Sequence, residues 1–199
     1  IPYFWAKGRA RFIISIAAKS LNVVESNITG LRHHKIELYP FSFKDWCVMK
    51  ELDYTRLTTK NRGLISKAYD EYFKQGGFPE LINSEENHKE YINTLTDNII
   101  SQDISRRYKI RNIDVLKKLT HHILNETPTI IVKESLLNTI GIKSERTLGN
   151  YLLYLNQTYL ISTINKYSAK SRERTRGEKL YAIDVAFMDK RENSFSGEN

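Results

Sequence analysis

The chain has 199 residues, of which 40% are hydrophobic and 27% charged, a composition that supports folded cores and excludes an intrinsically disordered chain. Its 31 Lys and Arg residues outnumber 23 Asp and Glu residues, so the formal charge of +8 favours a polyanionic partner. The single cysteine, Cys47, excludes an intramolecular disulfide, and no apolar run reaches the roughly 18 residues that a membrane span needs. We therefore expect a soluble, cytoplasmic protein without a membrane partner.

The first elements predicted along the chain are two strands separated by a helix. The run RFIISI is almost continuously apolar, which is typical of a strand buried on both faces of a parallel sheet. The segment AAKSLNVVES favours a helix, and HHKIELYPF alternates apolar and polar residues until Pro40 interrupts it, which indicates a second strand. Strand, helix and strand in this order predict an α/β unit over residues 1–42.

Residues 43–126 are predicted to form a helical connector. Ser42 is a suitable N-cap for its first helix, and the glycine pair at 76–77 ends the next one. Pro79 fits the first turn of a following helix, where its missing N–H costs nothing. A broad apolar stripe over residues 91–104 should then face a core, and IDVLKKLTHHILNE gives a further helix.

Residues 127–187 show the pattern of a winged-helix-like domain. The segment KESLLNTIGI predicts a short helix ended by Gly141, and Ser144 is a good N-cap for ERTLGNYLLYLNQTYL. Apolar residues on this second helix recur at steps of 4, 3 and 4 and should form one buried stripe: Leu148, Leu152, Leu155 and Tyr159. Two strand-like runs, YLISTINKYS and EKLYAID, then flank a loop rich in arginine. A helix-turn-helix followed by a β-hairpin is the order of a winged helix.

The candidates for nucleic-acid binding lie in this C-terminal region. Residues 141–180 hold eight basic and three acidic side chains, so +5 of the +8 is located there. At the start of the second helix, Lys143, Arg146 and Asn150 occupy positions that face the major groove in helix-turn-helix complexes. The loop between the two predicted strands adds a comb of basic residues suited to phosphates: Lys170, Arg172, Arg174 and Arg176. Double-stranded DNA is one predicted partner, and a protein packed on the winged helix, or a merely solvated basic loop, are the open alternatives.

Motifs for catalysis and metal binding are missing from the sequence. It contains no G-x-x-x-x-G-K-[ST] P-loop, no G-x-S-x-G elbow and no cysteine nucleophile with a plausible partner. The histidine pairs at 33–34 and 121–122 are adjacent in sequence, so their side chains diverge and we predict no metal site. The chain alone is therefore expected to hold no cofactor and to hydrolyse no ATP.

Five segments in chain order resemble a large prokaryotic group of predicted AAA-type ATPases whose C-terminal region is known as domain of unknown function 4143. These segments are KIELYPFSFKDW, YFKQGGFPELI, NIISQDISRRYKIRN, SLLNTIGIKSERTLGNYLLYLNQTYLISTINKYS and KLYAIDVAF. The resemblance implies an α+β, mostly helical fold. It would consist of the last strands of an AAA core (1–42), the helical connector, the winged helix and the start of a truncated C-terminal region (188–199).

The same resemblance implies that the chain is a fragment of an ATPase. The parent protein would bind ATP and Mg through a P-loop and Walker B carboxylates that precede this chain, and would self-associate through its AAA portion. Arg32 is then the candidate catalytic residue, as an arginine finger that stabilises charge on a neighbouring subunit's γ-phosphate. The competing hypothesis is a stand-alone winged-helix binding module, for DNA or protein, with a remnant N-terminal segment.

Overall fold

The structure, a computed structural model, describes residues 37–56, 58–82, 87–165 and 178–188. These residues form an α+β, mostly helical fold with one three-stranded antiparallel sheet. The α-helices are α1 (Phe43–Met49), α2 (Thr59–Gln75), α3 (His88–Asn98), α4 (Arg106–Tyr108), α5 (Ile113–Glu126), α6 (Lys133–Ile140) and α7 (Glu145–Gln157). A π-helical segment, Ile99–Ser105, joins α3 to α4, and 3-10 turns occur at Pro79–Leu81 and Val185–Phe187. The strands are β1 (Thr129–Ile130), β2 (Ile161–Ile164) and β3 (Lys179–Ala182). Within these ranges no helix is long and apolar enough to cross a membrane.

The sheet has the strand order β1, β3, β2, so the last strand lies between the other two. Thr129 pairs with Leu180 in β3, and on the other side Ile161 pairs with Ala182. Thr127, just after α5, fastens that helix to the sheet, since its Oγ1 accepts from the Ala182 N–H (3.0 Å) and donates to the Leu180 carbonyl oxygen (3.2 Å). These two hydrogen bonds link the end of α5 to β3, although Thr127 and β3 are more than 50 residues apart in sequence.

The first helix begins where the local sequence predicts it. Ser42 Oγ accepts from the Asp45 N–H (3.3 Å), and Asp45 Oδ2 accepts from the Ser42 N–H (2.9 Å), which makes a reciprocal capping box. The hydrogen bonds from Ser42 hold the pKa of the Asp45 carboxyl below its ordinary value. The predicted N-cap is confirmed.

The glycine pair that ends α2 is held against the end of the sheet. Gly76 adopts φ of +81°, a left-handed conformation that favours glycine. The Gly77 N–H lies 3.2 and 3.0 Å from the two carboxylate oxygens of Asp184, and the Gly77 carbonyl oxygen accepts from the Phe41 N–H at 2.7 Å. A Cβ at Gly77 would overlap the Phe41 carbonyl oxygen and lie 2.9 Å from Asp184 Oδ2. The two glycines therefore do more than end α2, which is the role that the sequence predicts. They allow the end of α2, the segment at Phe41 and the segment at Asp184 to meet at one junction.

Tyr72 completes this junction and makes its stability depend on pH. Its hydroxyl donates to the Phe41 carbonyl oxygen (2.9 Å). The pKa of Tyr72 is raised to about 12, mainly by burial of its side chain and secondly by the negative charge of Asp184. Tyrosine in an unfolded chain ionises near a pKa of about 10, so this contribution to stability is complete below pH 10 and is lost as the pH rises towards 12.

We therefore expect the urea midpoint of the wild type to fall between pH 9 and pH 11.5 by more than that of Tyr72→Phe, which cannot ionise. Circular dichroism at both pH values measures this difference. The control Tyr69→Phe, at an exposed ring of the same helix, should fall as far as the wild type. An equal fall in Tyr72→Phe would contradict the prediction.

The buried apolar side chains form two clusters. The smaller one holds Trp46, Ala68 and Ile82, which join α1 to α2 and to the turn that follows. The larger one, the main core, runs from Leu81 to Phe187 and takes in α3, the π-helical segment, α5, α6, α7 and the sheet. The predicted stripe over 91–104 is confirmed, since its most buried members lie in the main core: Ile92, Ile100 and Ile104. The main core is continuous across Glu126, so the connector helices support α7 and the sheet directly.

The prediction of a second N-terminal strand is wrong for the part of that segment that the structure describes. Residues 37–39 form no strand, and Leu38 is 87% exposed. An alternating sequence needs a paired neighbour to bury one face, and the described sheet contains only β1, β2 and β3. Glu37 instead accepts a hydrogen bond from the hydroxyl of Tyr159 (3.0 Å), beyond α7. The strand predicted at 11–16 lies outside the described residues.

Candidate nucleic-acid interface

The turn between α6 and α7 is built by two capping residues. Gly141 ends α6 with φ of +82°, and its N–H donates to the Leu137 carbonyl oxygen at 2.9 Å. Ser144 begins α7, since its Oγ accepts from the Thr147 N–H at 3.4 Å. Both helix ends lie where they were predicted. Between them, Ile142 is buried in the main core and Lys143 is exposed, so the turn points its lysine to the solvent.

One face of α7 is fixed in the main core. Leu148, Leu152 and Leu155 are buried there as predicted, and Tyr151 joins them. The prediction that Tyr159 is the fourth member of this stripe is wrong, because α7 ends at Gln157 and Tyr159 adopts φ of +59° beyond it. Thr158 caps the end of α7, since its N–H and its hydroxyl both donate to the Tyr154 carbonyl oxygen, each at 3.0 Å.

The C-terminal half of α7 has a second anchor on the connector. The ring of Tyr108 stacks on that of Tyr154, with centroids 3.7 Å apart and planes inclined by 9°. The Tyr108 hydroxyl also donates to Gln157 Oε1 (2.5 Å). These contacts and the leucine face restrain the rotation of α7 about its axis, so the structure determines which of its residues face outwards.

The opposite side of α7 is exposed, and we refer to it as the outer face: Arg146, Gly149, Asn150 and Leu153. Counted from Arg146, the other three positions lie three, four and seven residues further on, which puts them on one side of a helix. Within the described residues the side chains of Arg146 and Asn150 make no hydrogen bond or ion pair. Leu153 is 51% exposed, and a Cβ at Gly149 would meet no atom within 4 Å.

The structure thus puts two predicted nucleic-acid residues, Arg146 and Asn150, on one face, with Lys143 in the turn just before it. Sequence reasoning missed Gly149 and Leu153. Their spacing of three and seven residues from Arg146 was the available signal, but a glycine and a leucine carry no charge that would attract notice. Glu145, in the first turn of α7, is also exposed and opposes an anionic partner.

The other predicted DNA contacts belong to the loop between β2 and β3. These strands pair antiparallel as far as Ile164 and Lys179, so the loop begins and ends on neighbouring strands. Its candidate residues lie outside the described residues: Lys170, Arg172, Arg174 and Arg176. Arg32, the arginine-finger candidate, lies outside them as well.

A groove of about 630 Å³ lies elsewhere, between the end of α2, α3, α5 and the Val185–Phe187 turn. Its polar lining includes His88 and His121, which come from two different helices. Its carboxylate, Asp97, is paired through Oδ1 with Lys117 Nζ at 2.7 Å. No group of three or more His, Cys, Asp or Glu residues in the described part of the chain is arranged to hold a metal ion.

Comparison with known proteins gives one family match and two uncharacterized relatives. The family model described as Domain of unknown function (DUF8612) matches residues 66–192. An uncharacterized protein of Methanocaldococcus jannaschii is 33% identical over 181 residues, which is 87% of this chain and 41% of the relative. An uncharacterized protein of Haemophilus influenzae is 26% identical over 167 residues, 80% of this chain and 40% of the relative. The chain thus spans about two fifths of the length of these curated relatives, and no solved structure gives a significant match.

These findings correct the expected family. No match to an AAA-type ATPase or to domain of unknown function 4143 is found, and the family that matches is a different one. The resemblance depended on short segments rich in caps and turns, such as those around Ser42 and Gly141, and on an apolar helix stripe. Such signals determine where helices begin and end in many folds, so they do not specify a family. The arginine-finger role of Arg32 and the ATP and Mg of a parent protein lose their basis.

Proposed function

The chain belongs to the family Domain of unknown function (DUF8612), and we propose that it is a binding module, in which residues 127–187 act as a winged helix that binds double-stranded DNA. The observation that carries this proposal is the outer face of α7. It presents the side chains of Arg146 and Asn150 without hydrogen-bond or ion-pair partners among the described residues, on a helix whose other face is packed in the main core.

The order of the C-terminal elements supports this proposal. A helix (α5) and a short strand (β1) precede the pair α6 and α7, and the hairpin of β2 and β3 follows. The turn between α6 and α7 contains a left-handed glycine and an N-cap, as in helix-turn-helix motifs. In such motifs the second helix enters the major groove with its N-terminal residues towards the bases.

The chemistry of the exposed residues suits a duplex. The major groove is about 12 Å wide and admits one α-helix. Arg146 can bond a guanine through O6 and N7 or a phosphate, and Asn150 can bond an adenine through N6 and N7. Lys143 and the basic residues of the β2–β3 loop would neutralise phosphates. The excess of +5 over residues 141–180 favours the same partner.

Salt dependence of DNA binding tests the proposal. Fluorescence anisotropy with a labelled duplex should show the affinity falling by roughly 10³-fold between about 50 and 200 mM salt, if about six phosphates are contacted. The triple variant Arg172→Ala, Arg174→Ala, Arg176→Ala should reduce the slope of log affinity against log salt by about one for each arginine.

Two outcomes would count against it. An unchanged slope in the triple variant would remove the β2–β3 loop from the interface. Absence of binding even at 50 mM salt would overturn the DNA proposal and would favour the alternative, in which α7 packs against a protein partner.

A further inference from the structure

Gly149 occupies a helical position that nothing in the described fold reserves for glycine. It is the fifth residue of α7, and the described glycines with positive φ are Gly76 and Gly141, so its backbone conformation suits any residue. A Cβ at this position would meet no atom within 4 Å. Glycine is among the least favourable residues in a helix interior, so the fold would be more stable with alanine here.

The neighbours of Gly149 indicate what it leaves room for. Arg146 and Asn150 flank it on the outer face, and Leu153 follows one turn later, 51% exposed. Asparagine has a short side chain, so Asn150 can bond both N6 and N7 of an adenine only if the helix backbone comes close to the base edges. A bare backbone beside Asn150 permits that approach, and any side chain at 149 would hold the helix away from the bases by about the thickness of a methyl group.

We propose that Gly149 marks the point where α7 lies closest to the DNA, with Asn150 on an adenine and Leu153 against the methyl group of a thymine. This inference rests on the proposed function and deepens it, because it assigns the depth of the helix in the groove and a preference for A·T pairs. Major-groove thymine methyl groups accept apolar contacts, which accounts for an exposed leucine on an otherwise polar face. Arg146, one turn earlier, would lie over a guanine or a phosphate.

The chain contains a matched control for the glycine. Gly63 is the fifth residue of α2, is exposed, and a Cβ placed there would likewise meet nothing within 4 Å. Gly149→Ala and Gly63→Ala should each raise the Tm by about 1–4 °C, because both remove a helix-interior glycine. Only Gly149→Ala should weaken binding to a duplex selected from a random library, by about tenfold or more at fixed salt, measured by anisotropy.

A change in the DNA tests the contact of Leu153. Uracil in place of thymine removes the C5 methyl group, so the wild type should bind the uracil duplex several-fold more weakly. Leu153→Ala should abolish this difference between the two duplexes. Equal binding of both duplexes by the wild type would overturn the thymine contact.

The possible failures separate this inference from the proposed function. If Gly149→Ala binds DNA as the wild type does while Arg146→Ala binds weakly, α7 binds DNA without close approach and the inference is overturned alone. If the wild type binds no duplex at 50 mM salt, the inference and the proposed function are both overturned. If Gly149→Ala changes only the oligomeric state in light scattering, the outer face is a contact between copies of the chain, which also overturns the inference.

Discussion

Replacing Gly77 by alanine is expected to lower the free energy of unfolding by about 3 kcal/mol, the upper part of the range for overpacking a buried site. The new Cβ would overlap the Phe41 carbonyl oxygen, and it would press on Asp184, which is 5% exposed. Movement of either group would break the bonds from Gly77 to Asp184 and from Phe41 to Gly77. A buried carboxylate that loses N–H donors is costly, since each unsatisfied group adds about 1–3 kcal/mol or more. Urea unfolding followed by circular dichroism measures the loss.

Gly63→Ala is the control for the effect of removing a glycine as such. Its site is open, so this variant should gain about 0.5–1 kcal/mol. The two substitutions are chemically identical and should shift the urea midpoint in opposite directions. A Gly77→Ala protein with the wild-type midpoint would mean that the junction between α2 and the end of the sheet does not contribute to stability as the geometry requires.

The predictions that hold for the fold are those that depend on neighbours in sequence. Ser42 and Ser144 begin their helices because a serine hydroxyl reaches the N–H three residues on. Gly141 ends α6 because only a residue tolerant of positive φ can reverse the chain there. The leucines of α7 are buried because their spacing places them on one side of a helix. Each of these signals is complete within about one or two helical turns.

The parts that sequence could not give depend on residues that are distant along the chain. Gly77 and Asp184 are 107 positions apart, and the sequence around Gly77 predicts a helix end without predicting what packs on it. Tyr108 and Gln157 are 49 positions apart, yet their bond helps to orient α7. Around Leu38 the sequence predicts a strand that the structure does not have, because an alternating sequence forms a strand only when a neighbouring strand pairs with it.

For the candidate interface, the helical period was enough to separate two sides of α7. It put Arg146 and Asn150 away from the leucines, and the structure has both exposed. It could not show that Gly149 lies in open space, because that depends on every element around the helix. The leucine side of α7 is held in the main core, and this fixes which side chains the outer face turns to the solvent.

Rigid support has a consequence for how the chain would bind. The main core joins α7 to α3 and α5, and Tyr108 adds a contact from α4. A docked helix with fixed rotation loses little backbone conformational entropy on binding, since its backbone already has the orientation needed in the complex. Substitutions in the connector that loosen Tyr108 should therefore weaken DNA binding without touching the outer face.

Arg146→Ala should weaken binding to a selected, guanine-containing duplex by about tenfold to a hundredfold, as expected for loss of one bidentate base contact worth about 1–3 kcal/mol. The same substitution should relax the preference for guanine at one position, because a lost base contact affects one sequence more than the others. Arg62→Ala, at an exposed arginine of α2, is the matched control and should change neither property. Fluorescence anisotropy with the selected duplex, and with a duplex in which that guanine is replaced, measures both the affinity and the preference for guanine. Equal weakening on the two duplexes would reassign Arg146 to a phosphate, since phosphates are alike in every sequence. Wild-type binding by Arg146→Ala would remove Arg146 from the interface, and with it the one cationic side chain that lies on the outer face in the described structure.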